Sequence, residues 1–197
     1  MHFYGKVSER HPYIILGIGV LSFASAYVLY LALTALRITV PFYLDSPSTL
    51  GFFGFWYWLF DIWVWRTRFG QFLLNHACDN FAGEYSGEIE STFDSSTPIQ
   101  CSLTVRQTYC KISVILKSGK SQSKSISACI AEGFGSTQLH YVYQNYPFSY
   151  ADKDMHSHSG TAMLEFKGSL DKIYMEYYTG RDRTSHGHGT LTRVMKQ

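Results

Sequence analysis

Two arginines and two tyrosines stand close together near the end of the chain. Arg181 and Arg183 follow shortly after the neighbouring residues Tyr177 and Tyr178. An arginine guanidinium can bind a phosphodiester through two parallel hydrogen bonds. A tyrosine ring offers a flat surface on which a base can stack. The combination of both residue types indicates a candidate site for a nucleotide ligand.

Other residues with suitable side chains extend this candidate site. Thr184 and His186 lie in the same segment and can add hydrogen bonds. Two tyrosines at positions 141 and 143 would share one face of an earlier strand and could stack a base near the mouth of the fold. The candidate ligand-binding residues are therefore Tyr141, Tyr143, Tyr177, Tyr178, Arg181, Arg183, Thr184 and His186. The alternative is that the arginines belong to a solvated hairpin and the tyrosines to the core.

These residues fall in the second part of the chain, where apolar and polar residues alternate. In Ile99–Arg106, for example, every second residue is Ile, Cys, Leu or Val. A period of two is the pattern of a half-buried strand. In the fourth such segment, Ile126, Ala128 and Ile130 are predicted to lie on one face, opposite serines at 123, 125 and 127. The eight predicted strands span residues 83–93, 99–106, 110–117, 122–130, 138–144, 160–166, 171–178 and 189–195.

The short connections between successive strands predict an up-and-down meander. Eight such strands would close into a small β-barrel, which removes exposed strand edges. A barrel of this size is just wide enough to hold one small ligand, as in lipocalins. The predicted outer face is rich in Ser, Lys, Glu and Gln, so the strands do not form a membrane-spanning barrel. A β-sandwich of seven or eight strands is the alternative.

The first part of the chain contains two long apolar runs. Tyr13–Leu36 has no charged residue, and its 24 residues would span about 36 Å as a helix, enough to cross a bilayer. Leu50–Trp65 is shorter and rich in aromatic residues, which favour the membrane interface. The linker Arg37–Thr49 holds two prolines, so the runs are predicted to form an antiparallel transmembrane hairpin. A cleaved signal peptide ending near Ala26 is the alternative for the first run.

Basic residues on the flanks of the two runs predict their orientation. Lys6 and Arg10 precede the first run, Arg66 and Arg68 follow the second, and the linker holds only Arg37. Cytoplasmic flanks carry the excess of Lys and Arg. Both termini are therefore predicted to lie in the cytoplasm, with a transmembrane hairpin over residues 1–77 and a cytosolic ligand-sensing β-barrel over residues 78–197.

Asp61 is the one acidic residue inside the apolar runs. A carboxylate within hydrocarbon is costly, which makes this residue a functional candidate within the membrane. A structural role is the alternative, because Asp61 lies about one helical turn from Arg66 and can reach the interface.

Composition excludes several classes of function. A net charge of +2 does not fit a protein that binds DNA or RNA polymers. The four cysteines lack the spacing of a metal site or a secreted disulfide scaffold. Without a nucleophile motif or a phosphate-binding glycine loop, no enzymatic activity and no cofactor are expected.

Two histidine pairs present a further alternative, a metal site. The pairs are His156 with His158 and His186 with His188, and Asp152 or Asp154 could complete a ligand set. No cysteine or carboxylate stands at a fixed ligand spacing from either pair, so no metal is expected.

The whole architecture resembles one known family. Two N-terminal spans, a Trp-rich second helix and a barrel of this size are similar to the two-transmembrane β-strand-rich effectors of bacterial CBASS anti-phage systems, also called CD-NTase-associated two-transmembrane β-barrel effectors. Local motifs add to this resemblance: Gly83-Glu84-Tyr85-x-Gly87, and a hairpin from Tyr178-Thr179-Gly180-Arg181 to Gly189-Thr190-Leu191.

The resemblance implies a function. The barrel would bind a cyclic oligonucleotide, such as a cyclic dinucleotide, made by a CD-NTase after infection. Ligand binding would drive homo-oligomerisation, and the helices would then disrupt the lipid bilayer of the inner membrane and kill the cell. The competing hypothesis is a membrane-tethered, lipocalin-like carrier of a lipid or another apolar ligand. Paired arginines beside tyrosines favour the nucleotide.

Overall fold

The structure is a computed structural model. It describes residues 1–5, 11–38, 42–74, 79–92, 94–133, 136–151, 156–166, 171–180 and 185–194. The chain divides into two units, one formed by Met1–Lys6 with Asn80–Gln197 and the other by Val7–Asp79. The first residues of the chain therefore belong with the strands and not with the helices.

The helical unit contains α1 (His11–Ala35), α2 (Phe42–Ile62) and α3 (Arg68–Leu73), with a 3₁₀ turn at Val64–Arg66 between the last two. Within the described part of the chain, α1 is the one helix whose length and apolar composition suffice to cross a membrane. Helices α1 and α2 pack together, and Trp56 Nε1 donates a hydrogen bond to Ser25 Oγ at 3.0 Å.

Helix α2 covers most of the second predicted span but begins earlier, at Phe42. It holds Asp45 and Asp61 within its 21 residues, which lowers its apolar character. A second membrane crossing therefore stays a prediction. Asp61 lies half-buried in the last turn of this helix.

The other unit contains nine strands. All eight predicted strands are present, with bounds shifted by up to five residues. The first strand, at the extreme N-terminus, was not predicted. The strands are β1 (His2–Gly5), β2 (Gly83–Ser91), β3 (Asp94–Gln107), β4 (Lys111–Ser118), β5 (Ser121–Gly133), β6 (Ser136–Pro147), β7 (His158–Phe166), β8 (Lys172–Thr179) and β9 (His186–Arg193).

These strands form one sheet that closes on itself as a barrel. From β2 to β9 each strand pairs antiparallel with the next, and β2 pairs with β9. Strands β4 and β5 pair only over Ile115–Lys117 and Gln122–Lys124. Beyond those residues β1 lies between them, antiparallel to β4 and parallel to β5.

The two ends of the barrel differ in character. We call the end where β1 ends and β2 begins the proximal end, and the end where β8 passes into β9 the distal end. The proximal half holds apolar side chains, with the rings of Phe81 and Phe166 4.5 Å apart, and also the buried amide of Gln107 and the hydrogen bond from Arg193 Nη2 to Tyr85 Oη. The distal half carries Tyr143, Asn145 and Ser123 on its inner face, together with apolar residues such as Ile89.

One strand faces differently from its prediction. Ala128 and Ile130 pack against the core, but Ser123 and Ser125 are also buried and Ile126 is 56% exposed, so the predicted common face of Ile126, Ala128 and Ile130 was wrong. The register in which β5 pairs with β6 shifts between Ser125 and Ser127. A β-bulge inserts one extra residue and reverses the side on which the following residues lie. The two serines therefore point into the barrel before the bulge.

Candidate functional site

The four predicted tyrosines lie on two different faces of the barrel wall. Tyr141 and Tyr143 are buried, and Tyr177 packs against the core from the neighbouring part of the sheet. Tyr178 is 57% exposed. Successive side chains of a strand point to opposite faces. Tyr177 and Tyr178 therefore cannot line the same side of the wall.

The three inner tyrosines come from two strands that flank β7. Tyr141 on β6 and Tyr177 on β8 both lie opposite Ala162 in the sheet. The ring centroids of Tyr141 and Tyr143 are 6.3 Å apart, with their planes tilted by 55°. Because the side chain of Ala162 is short, the rings of Tyr141 and Tyr177 can occupy the space between β6 and β8.

Glycines on neighbouring strands accommodate two of these rings. A Cβ atom on Gly160 would lie 2.5 Å from Tyr143 Oη, and one on Gly187 would lie 2.5 Å from Tyr177 Cε1. Real Cβ atoms do not approach other atoms this closely. Each ring therefore lies over the glycine of the next strand, and any larger residue at that position would displace it.

Buried polar groups surround the inner tyrosines. Asn145 Nδ2 donates hydrogen bonds to Ser123 Oγ at 2.8 Å and Ser121 Oγ at 3.0 Å. Asn145 Oδ1 is buried and has no hydrogen-bond partner within the described residues. We call this set the interior cluster, and it consists of Ser123, Ser125, Tyr141, Tyr143, Asn145 and Tyr177.

Sequence reasoning missed three members of the interior cluster. Asn145 could have been found, because it continues the alternation of Tyr141 and Tyr143 by two residues on the same face. Ser123 and Ser125 could not, because nothing in their sequence marks the bulge that follows them.

Burial changes the acidity of two groups at this site. Burial raises the pKa of Tyr141, and the nearby Tyr143 and Cys101 raise it further. Burial also raises the pKa of the Cys101 thiol to about 11. Both groups therefore stay protonated at neutral pH, and the Tyr141 hydroxyl can act as a hydrogen-bond donor.

The other predicted residues lie elsewhere. Tyr178 and His186 stack on the outer face, with ring centroids 6.3 Å apart and planes inclined by 26°. Tyr178 also lines an outer groove of about 430 Å³ together with His140 and Met163. Arg181, Arg183 and Thr184 lie outside the described residues.

The segment that carries the two arginines is anchored on both sides. The backbone N–H of Thr179 donates to Ser185 O at 2.9 Å, and the backbone N–H of Ser185 donates to Thr179 Oγ1 at 2.8 Å. Gly180 N donates to Ser159 O at 2.7 Å. These bonds hold the residues on both sides of the connection at the distal end of the barrel. Thr179 and Gly180 follow Tyr177 by two and three residues.

Neither histidine pair forms a metal site with the residues that the structure describes. His188 lies on the outer face, with Nε2 3.6 Å from Glu90 Oε2. The ring of His158 meets that of Tyr143 edge-on, with centroids 6.5 Å apart. Among the residues that the structure describes, no three His, Cys, Asp or Glu side chains are close enough to hold a metal ion. Asp152 and Asp154 lie outside those residues.

Comparison with known proteins identifies the domain that contains the interior cluster. A family model described as "Cap15, cyclic dinucleotide receptor domain" matches residues 77–193, which include β2–β9. The chain belongs to this family. Strand β1 and helices α1 and α2 lie outside the matched residues.

Two proteins of the same name are similar to the chain. The "CD-NTase-associated protein 15" of Yersinia aleksiciae is 29% identical over 188 residues, which cover 89% of this chain and 88% of that protein. Its namesake in Staphylococcus schleiferi is 25% identical over 123 residues, covering 62% of this chain and 64% of that protein. These similarities support the resemblance to CBASS effectors inferred from the sequence.

Proposed function

We propose that this chain is a CBASS effector whose barrel binds a cyclic dinucleotide at the interior cluster. The observation that carries this proposal is the convergence of Tyr141, Tyr143 and Tyr177 on the inner face of a domain that belongs to the cyclic dinucleotide receptor family. The protein acts as a receptor without enzymatic turnover.

The interior cluster supplies the groups that recognise bases. Tyrosine rings provide stacking surfaces, which bind any base through its flat face. The Tyr141 hydroxyl is a donor, and Asn145 Oδ1 is a buried acceptor without a described partner. A buried polar atom without a partner is costly. A base that donates to Asn145 removes that cost and gains affinity.

The phosphodiesters of the ligand require positive charge. Among the described residues of the distal half, no arginine or lysine points into the barrel. Arg181 and Arg183 follow Gly180, which is hydrogen-bonded at the distal end. We therefore assign to these two arginines the binding of the phosphodiesters, with Thr184 as an additional hydrogen-bonding group. Tyr178 and His186 lie on the outer face at the same end of the barrel.

The pairing of β1 supports a membrane hairpin. Strand β1 precedes α1 in the chain, yet it is hydrogen-bonded between β4 and β5, which follow α2. A strand on one side of a bilayer cannot pair with strands on the other side, so the residues between β1 and β2 must cross a membrane an even number of times. If α1 crosses, the segment that contains α2 must return. Both termini then lie on one side, which the flanking basic residues assign to the cytoplasm.

Membrane disruption follows from assembly. One hairpin of two helices cannot enclose a pore, so several copies must meet in the inner membrane. Ligand binding promotes this homo-oligomerisation by favouring the state of the receptor that associates. Asp61, in the last turn of α2, places a carboxylate near one end of the hairpin.

A binding experiment tests the receptor function. The purified full chain in detergent is titrated with a panel of cyclic dinucleotides by calorimetry. Replacing Tyr177 with Ala should weaken binding about fivefold to 150-fold, since stacking is worth about 1–3 kcal/mol per base. Tyr174→Ala is the matched control, because Tyr174 lies on the outer face of the same strand. Equal binding by both variants would contradict the proposed site, and binding of lipid alone would favour the carrier.

A cell experiment tests the membrane function. Cells that express the full chain should admit a membrane-impermeant dye only when a cyclic-dinucleotide synthase is expressed with it. Reporters fused to each terminus should be active only in their cytoplasmic form. Dye entry without the nucleotide, or a periplasmic signal from either fusion, would contradict this part of the proposal.

A further inference from the structure

Strand β1 occupies a gap in the barrel wall. Strands β4 and β5 are hydrogen-bonded to each other only near the distal end. Towards the proximal end they separate, and β1 pairs His2 with Ile112 on one side and Tyr4 with Ala128 on the other. A strand of four residues thus completes the barrel between two much longer strands.

The side chains of Tyr4 and Phe3 contribute differently to the contacts of β1. Tyr4 packs against the core, and its hydroxyl donates a hydrogen bond to Tyr109 O at 2.9 Å. Gln107 Nε2 donates to the same hydroxyl at 3.3 Å. Phe3 is 72% exposed, and the ammonium group of Lys111 lies 5.1 Å from the centroid of its ring.

A serine joins β1 to the interior cluster. His2 Nε2 lies 2.7 Å from Ser125 Oγ, and the backbone N–H of Val114 donates to the same oxygen at 2.9 Å. Ser125 lies directly opposite Tyr143 in the pairing of β5 with β6. A ligand that displaces Ser125 therefore disturbs the hydrogen bond that holds His2.

The chain passes from β1 to the first helix through a short segment. Only residues 6–10 separate Gly5 from His11, the first residue of α1. These five residues can span at most about 18 Å when fully extended. A released β1 therefore stays within about 18 Å of the first residue of α1.

We infer that β1 is a releasable strap that couples the occupancy of the interior cluster to the helices. This inference rests on the proposed function. In the resting state β1 is paired in the wall and holds the chain in its unassembled form. In the bound state β1 leaves the gap, which frees α1 to associate with other copies. The ligand shifts this equilibrium only by binding the released state more tightly than the paired state.

Release of β1 is energetically accessible. Individual hydrogen bonds contribute about 1 kcal/mol net to stability, and strands of this length pair through few of them. Barrel closure at the distal end does not depend on β1, because β4 and β5 pair there directly. The wall can therefore open at the proximal end while the remaining eight strands stay joined.

A disulfide lock tests the strap in the presence of ligand. Gly5 lies opposite Cys129 in the register of β1 and β5, and Cys129 is exposed. The substitution Gly5→Cys allows an intramolecular disulfide, and Gly5→Ser is the matched control without a thiol. The full-length oxidised Gly5→Cys protein should bind the cyclic dinucleotide but remain unassembled in light scattering, and dithiothreitol should restore assembly. Assembly of the oxidised protein to the same extent as the control would overturn the inference.

A second pair of variants tests the strap without any ligand. Tyr4→Ala removes the side chain that anchors β1, whereas Phe3→Ala changes an exposed ring of the same strand. The Tyr4→Ala protein should show an assembled fraction about tenfold higher than that of Phe3→Ala, which corresponds to about 1.4 kcal/mol. Equal, low assembly of both variants would overturn the strap. Absence of nucleotide binding by the reduced wild-type chain would instead reject the proposed function.

Discussion

Gln107 Oε1 accepts a hydrogen bond from the backbone N–H of Phe81 at 2.8 Å. The amide nitrogen of the same side chain donates to the hydroxyl of Tyr4. Gln107 is only 2% exposed, so one buried amide ties β1 and the segment before β2 to the end of β3. Gln107 thus contacts both the segment that precedes the helical unit and the segment that follows it.

The substitution Gln107→Leu should destabilise the barrel. Leucine preserves most of the volume but leaves the buried N–H of Phe81 without its acceptor, which costs about 1–3 kcal/mol. Pulse proteolysis in urea, with the full chain in detergent, measures the change. Gln100→Leu is the control, since Gln100 lies on the exposed face of the same strand and should change stability by less than about 0.5 kcal/mol. Equal urea midpoints for both variants would argue against the role of Gln107.

Alanine at Gly187 should displace the ring of Tyr177. The added Cβ would also meet the backbone oxygen of Glu90, so the barrel should lose about 1–3 kcal/mol of stability. Affinity for the cyclic dinucleotide should fall in parallel, measured by calorimetry under conditions where the variant is folded. Gly119→Ala provides the comparison, because no heavy atom lies within 4 Å of its added Cβ. Full affinity in a folded Gly187→Ala protein would show that the position of Tyr177 does not matter for binding.

Removal of Arg181 or Arg183 should weaken nucleotide binding without changing the barrel. A charge-assisted hydrogen bond is worth roughly 1.5–3 kcal/mol, so each Ala variant should lose about tenfold to a hundredfold in affinity. Lysine should restore only part of the loss, because it lacks the planar fork of arginine. Arg106→Ala removes the same charge from the exposed face of β3 and should bind normally. Unchanged binding by the double Ala variant would move the phosphate site elsewhere, most simply to residues 145–159.

The buried thiol of Cys101 should make the barrel sensitive to alkaline pH. Its pKa is raised from 9.0 to about 11 in the folded state, so the thiol of the unfolded chain loses its proton first as pH rises. Stability is therefore retained below pH 9 and is lost progressively between about pH 9 and 11, by up to about 3 kcal/mol. Urea midpoints at a series of pH values measure this loss. In Cys101→Ala the loss should be smaller over the same range, and identical pH profiles would contradict the assignment to Cys101.

Alternation alone was sufficient to predict β2–β9, because each of these strands has one face in the core. The same rule would have separated Tyr177 from Tyr178, since neighbouring residues of a strand face opposite sides. Grouping both tyrosines into one site relied on their closeness in sequence and ignored this geometry. Their opposite placement follows from Ile173 and Met175, which continue on the inner face to Tyr177.

Two features could not be predicted in this way. Strand β1 has four residues, too few to show a period, and its partners lie more than a hundred positions away. The bulge between Ser125 and Ser127 depends on how β5 fits against β6, which is a tertiary property. Both features affect the interior cluster directly. The sequence therefore predicted the strands of the barrel better than the residues that line its interior.

The pairing of β1 also determines the order in which the protein can be made. His2 and Tyr4 leave the ribosome long before Ile112 and Ala128, their partners in the sheet. Domains generally fold from the N-terminus during synthesis, whereas contacts of large sequence separation form late. Strand β1 therefore remains unpaired until β4 and β5 have been synthesised. Each newly made molecule thus passes through a stage in which its wall is open before it first reaches the resting state.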